Sequence, residues 1–389
     1  MPNLNPGLLD QRLAIEWVRD NIPAFGGNAS RITIFGQSAG SASVDYYSYA
    51  YVSDPIIAGM IQESGTINGF GTVTKSEAND AWFNITSSVG CGDASSNSTD
   101  VLACMRTKTA AQILNAIPPT PPGSITGGLS DFGPTVDNIT VFSDYDARSA
   151  AGNFIKVPLL TGNCDYEAGL FATDAALANV TYSAVFWTVF DLSVFTCPAS
   201  ERANISIAAG VPTWRYRYFG DFPNLRLTSV PDSGAWHSSE LPLVFGNYPN
   251  ATGGVPASTA AELSIGDYMR GAWAAFAKDP VNGLTSYQGG WPMYNPAGNT
   301  LIRLAYNNVT GTNLAMPILY DGACHTTFAY NGTSNSTASA TASSTRAATS
   351  SSSSATSTTS VQSNGSRISS GGFMLVAVFG LVVPLLMVL

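Results

Sequence analysis

Between residues 5 and 331 the apolar positions recur in two alternating rhythms. Leu9, Leu13 and Trp17 fall at i, i+4 and i+8, with Ala14 and Val18 beside them. That spacing predicts an amphipathic helix over 8–21 that stops before Pro23. A Phe25-Gly26-Gly27 turn leads into Arg31–Phe35, a short β-branched run that reads as a strand. After Gly36 the small residues from Ser38 to Val44 reopen a helix. Further strands are expected at Gly59–Gln62, Val157–Leu160 and Thr213–Phe219, and Thr259 with Glu262 makes the capping box of a helix running to Lys278. Strands alternating with helices imply a mostly parallel sheet covered on both faces, an α/β architecture.

The rhythm stops after Asn331. Of the 39 residues from Gly332 to Ser370, 24 are Ser or Thr and only Arg346 and Arg367 are charged. Residues 332–364 cannot bury a core and read as a disordered, O-glycosylated stalk. Residues 365–389 follow as a candidate anchor signal: small residues at Asn364, Gly365 and Ser366, a short polar spacer, then an apolar run from Phe373 to Leu389 with no basic residue after it. A glycolipid anchor signal fits this pattern better than a retained transmembrane helix, because the run is short and contains Pro384.

Composition narrows the partners. The chain of 389 residues carries 17 basic and 26 acidic side chains, a net charge of -9, and only 11% of it is charged. An acidic balance without basic clusters argues against nucleic acid and anionic membrane surfaces. Candidate glycosylation sites at Asn28, Asn84, Asn97, Asn138, Asn179, Asn204, Asn250 and Asn308, with Asn331, Asn335 and Asn364 in the tail, point to the secretory pathway and to a cell-surface location. The first ten residues hold neither a basic segment nor an apolar run, so no signal peptide is read there. The two observations conflict, and the expectation is that residues upstream of Met1 are missing.

Chemistry concentrates in Gly36-Gln37-Ser38-Ala39-Gly40, which falls at a predicted strand-to-helix junction. Glycines on both sides let the chain turn sharply and present the serine at a helix start. There its hydroxyl can attack a carbonyl carbon while the Ala39 N–H donates to the oxyanion. A serine needs a base, and the base needs an acid to orient it. The chain has two histidines. His237 precedes a mostly apolar stretch and is the better candidate; His325 adjoins Cys324 and reads as a surface or packing residue. The acid is expected between serine and histidine in the chain, where Glu167 follows a predicted strand and Asp165 is its rival.

These stretches resemble the type-B carboxylesterase and cholinesterase-like family of α/β hydrolases. The resemblance is carried by Asn5-Pro6-Gly7-Leu8-Leu9-Asp10-Gln11, Trp17–Ile22, Phe25–Asn28, Phe35–Gly40 and Gln62-Glu63-Ser64-Gly65. It implies an α/β-hydrolase fold and a cofactor-free, metal-free esterase acting on small-molecule or lipid esters, with Ser38 as nucleophile, Glu167 as acid and His237 as base. It also implies disulfides Cys91–Cys104 and Cys197–Cys324, leaving Cys164 over, and a supporting hydrogen bond to the triad from Ser64. Gln37 stands where many members have Glu, which is expected to matter little.

Two alternatives remain at this stage: a lipase acting on long acyl chains, and a catalytically silent surface protein on the same fold. Members of the family carry a substantial segment before the Asn5–Gln11 motif, including the glycine-rich loop with most oxyanion donors. Without it, Ala39 is the donor in hand, and one missing donor costs about 2.7–4 kcal/mol of transition-state stabilisation. The absent early strands are also expected to leave the strand before Ser38 with an exposed apolar edge.

Overall fold

The computed structural model describes residues 4–119, 132–324 and 386–388. Five parallel strands form the centre of the sheet: β1 (Ile32–Gln37), β2 (Gly59–Glu63), β3 (Leu159–Cys164), β4 (Thr213–Tyr218) and β5 (Leu301–Leu304). A sixth, β6 (Leu386–Val388), runs antiparallel beside β1, and the order across the sheet is β5-β4-β3-β2-β1-β6. The expectation of an open β1 edge is therefore corrected, since Ile32, Thr33 and Ile34 pair with Val388, Met387 and Leu386. The rest of the predicted tail, and His325 with it, lies outside the described residues.

Every residue of β1, β2 and β3 is buried, as expected of parallel strands covered on both faces. In β4 the alternation is chemical. Trp214, Tyr216 and Tyr218 join a buried cluster with Trp273, Phe276 and Trp291, while Arg215 and Arg217 are taken up by Asp321 and Asp165. Successive side chains of a strand point to opposite faces, so one strand serves both an aromatic core and an ion-paired layer.

The helices that shape the site are α1 (Pro6–Asn21), α2 (Ala39–Ala50), α3 (Ala168–Leu177), α4 (Ala184–Asp191), α5 (Cys197–Ala208), α6 (Leu241–Phe245) and α7 (Ala260–Lys278). The capping box of α7 forms as expected: Thr259 Oγ1 accepts from the Glu262 N–H, and the Glu262 carboxylate accepts from the Thr259 N–H. In α1 the helix is found but its buried face is not the expected one. Leu13 and Trp17 are 63% and 57% exposed, whereas Arg12 and Ile15 are buried. Arg12 holds Tyr47 Oη and the Asp54 carbonyl at 2.8 and 2.7 Å, so polar anchoring sets the rotation of this helix.

Both disulfides implied by the resemblance are formed, Cys91–Cys104 and Cys197–Cys324, and Cys164 is a buried free thiol. Among the candidate glycosylation sites, Asn28, Asn84, Asn97, Asn138, Asn179, Asn250 and Asn308 are exposed, whereas Asn204 is half-buried within α5. Among the described residues no helix is long and apolar enough to cross a membrane.

Candidate active site

Ser38 is the hinge between β1 and α2, held at φ 58 and ψ -123. A non-glycine residue at positive φ is strained, and here the surroundings enforce it. The Ser38 N–H donates to the Glu63 carbonyl at 2.8 Å, and Ser41 Oγ donates to the Gly65 carbonyl at 2.6 Å. A Cβ on Gly36 would sit 2.4 Å from the Gly40 backbone, and one on Gly65 would sit 2.3 Å from the Ser38 carbonyl oxygen. The glycines are therefore required by backbone contact, and the turn lifts Ser38 Oγ clear of the sheet. Ala39 is the first residue of α2, so its N–H belongs to the unpaired donors at a helix start.

His237 arrives on the loop before α6, and Glu167 sits between β3 and α3. His237 Nε2 lies 2.7 Å from Ser38 Oγ, and His237 Nδ1 lies 2.5 Å from Glu167 Oε2. The other Glu167 oxygen accepts from the Cys164 N–H at 2.6 Å. With Nδ1 protonated, the imidazole presents a bare Nε2 to the serine hydroxyl. Asp165, the rival acid, is turned away and takes Arg217 Nε at 2.7 Å. β3 extends through Cys164, beyond the expected Leu160, and this longer strand puts Glu167 at the turn facing His237.

Rings enclose the histidine. Phe195 and Phe171 stand with centroids 4.9 and 5.5 Å from the imidazole, and Phe70 and Phe190 lean on Phe195. Phe195 lies on a π-helical turn, Leu192–Thr196, between α4 and α5, a distortion that often marks functional positions. Phe186 and Trp187 of α4 pack against each other and against Tyr182.

Behind the triad geometry lies a group of buried carboxyls invisible in the sequence pattern. The Cys164 thiol donates to Glu240 Oε2 at 3.0 Å, and Trp273 Nε1 donates to Glu63 Oε1 at 2.5 Å. Burial, then the proximity of another carboxylate, pushes Glu63 and Glu240 up and favours their protonated forms. Asp191, whose Oδ1 accepts from the Ala168 N–H at 2.6 Å, is pushed up to about 8 by burial and then by the charge of Glu167. Among the described residues the Ser64 hydroxyl is buried and makes no hydrogen bond to the triad, and its N–H donates to the Gly162 carbonyl at 2.8 Å. Among the described residues no group of three or more His, Cys, Asp or Glu side chains is arranged to hold a metal.

A parallel sheet covered by helices, with a serine on a sharp strand-to-helix turn at its edge of chemistry, defines the α/β-hydrolase fold. The carboxylesterase family model matches residues 3–185 and 177–317, and the chain belongs to that family. A chlorogenic acid esterase of Aspergillus niger is 36% identical over 280 residues, covering 72% of this chain and 51% of that protein. Secreted lipase 5 of Gibberella zeae is 36% identical over 328 residues, covering 79% and 58%. An acetylcholinesterase of Electrophorus electricus is 38% identical over 170 residues, 43% of this chain and 26% of that protein. The chain thus spans about half the length of the curated relatives it matches.

Proposed function

We propose that the protein is a serine carboxylic-ester hydrolase that works through an acyl-enzyme. The observation that carries this is the continuous line from Ser38 Oγ through both ring nitrogens of His237 to Glu167. In the first half-reaction His237 Nε2 takes the hydroxyl proton as Ser38 Oγ bonds to the ester carbon. The Ala39 N–H donates to the resulting oxyanion, and His237 returns the proton to the departing alkoxide. Water then repeats the sequence on the acyl-enzyme and frees the acid. Glu167 fixes the ring tautomer and balances the imidazolium charge.

An extracellular setting, with glycans at the exposed sequons, a stalk at 332–364 and an anchor signal at 365–389, completes the reading. It rests on the tail composition and on relatives named as secreted. Turnover of a short-chain chromogenic ester and stoichiometric labelling by a fluorophosphonate test the catalytic part. Ser38→Ala is expected to abolish both. Glu167→Gln is expected to lower kcat by about 10⁴-fold, as loss of the orienting acid does in such triads. Asp165→Asn, which breaks only a partly exposed pair with Arg217, is expected to leave kcat unchanged. Equal turnover by Ser38→Ala and the parent chain would refute the serine mechanism.

A further inference from the structure

Gln37 does not have the passive role expected from its sequence position. Its side chain is 5% exposed, and its terminal amide lies 3.2 Å from His237 Nε2, the same nitrogen that faces Ser38 Oγ. Each imidazole nitrogen has one site in the ring plane, either a lone pair or a hydrogen. Nε2 therefore accepts at rest, and both the Ser38 hydroxyl and the Gln37 amide N–H point at one lone pair. Once Nε2 has taken the serine proton, it becomes a donor, and an amide N–H facing it is repelled.

A primary amide can answer both states. Its oxygen and nitrogen have nearly the same shape, and turning the group over replaces a donor with an acceptor at the same place. We propose that Gln37 is a positioning residue of the reaction: its amide donates to neutral His237 and, turned over, accepts from the imidazolium Nε2–H. The inference rests on the serine-hydrolase reading. In the resting state the amide N–H competes with Ser38 for the Nε2 lone pair. In the charged state the amide oxygen holds the proton in the ring plane until the leaving group collects it. Glu167 supports the imidazolium from the Nδ1 side, so Gln37 supplies what that carboxyl does not reach, an acceptor at Nε2 itself. No bond forms or breaks at Gln37.

The test uses the 389-residue chain and a short-chain p-nitrophenyl ester. Gln37→Met keeps the length of the side chain and removes donor and acceptor; it is expected to lower kcat by about 10- to 100-fold, the range for one hydrogen bond to a charged group, with KM little changed. Gln37→Glu retains an acceptor for the imidazolium and is expected to recover most of that loss. A purely structural role predicts no such recovery and a fall in thermal stability parallel to the fall in kcat. Gln37→Leu serves with the same expectation where the Met variant does not fold. Turnover of the Met or Leu variant equal to the parent, or no recovery by Glu, overturns the inference. Failure of the parent to label with a fluorophosphonate overturns the serine reading and this inference together; labelling of the parent with an unaffected Gln37→Met overturns this one alone.

Discussion

Asp191 ends α4 with its carboxyl buried against the first turn of α3, and its proton affinity couples this corner of the site to pH. The folded carboxyl holds its proton to about 8, whereas in the unfolded chain it ionises near the ordinary aspartate value. The folded state therefore binds more protons between these limits, and stability falls as pH rises from about 4 to about 8. Asp191→Asn keeps an oxygen for the Ala168 N–H and cannot ionise. Relative to the parent it is expected to be more stable at pH 8 than at pH 5, by at least about 1 kcal/mol between the two. Urea unfolding at both pH values measures this; an equal difference at both would show that Asp191 is already ionised in the native state. None of this was legible in the sequence. Ser38 and His237 could be picked out because Gly-X-Ser-X-Gly is a local pattern and histidine is scarce, but Asp191, Gln37 and Glu240 owe their roles to burial and to neighbours 23 or more residues away.

Among the elements, the β1–α2 turn was legible because its requirement is steric and local. Gly36→Ala would drive a Cβ into the Gly40 backbone, so the strand and helix must part or the turn must open. Overpacking of this kind costs about 1–3 kcal/mol in a core, and more where backbone is the obstacle. Loss of soluble protein, or of fluorophosphonate labelling in what remains soluble, is the expected outcome. Gly7→Ala is the control: nothing lies within 4 Å of its Cβ, and in the first turn of α1 it is expected to be neutral or stabilising by up to about 1 kcal/mol. Equal thermal midpoints for the two variants would remove the steric account. The face of α1 misled for the opposite reason. Three apolar residues at helical spacing describe a stripe, but Arg12, with partners on α2 and the following loop, fixed which side turned inward. β5 escaped notice because Leu301–Leu304 is four residues long and lacks a periodic signature.

On the scale of the whole molecule the carboxyl-terminal residues carry two incompatible readings. As β6, Leu386–Val388 closes the outer edge of β1, the strand that ends at the Ser38 turn. As the end of an anchor signal, the same residues are removed when the lipid is attached, and Ile32–Ile34 then present unpaired backbone groups along an apolar strand. Each reading fixes a different mature protein, so one experiment separates them. Expressed in secretory cells behind an added signal peptide, the chain is expected to sit at the surface and to be released by phosphatidylinositol-specific phospholipase C, with no peptide from 371–389 found by mass spectrometry. A secreted chain ending at Asn364 should then match the released protein in thermal stability. Retention after the phospholipase, with peptides from 371–389 intact, would reject the anchor. In that case β6 stays with the domain, and cutting the chain after Ser370 should lower its thermal midpoint and promote association through the bared edge of β1.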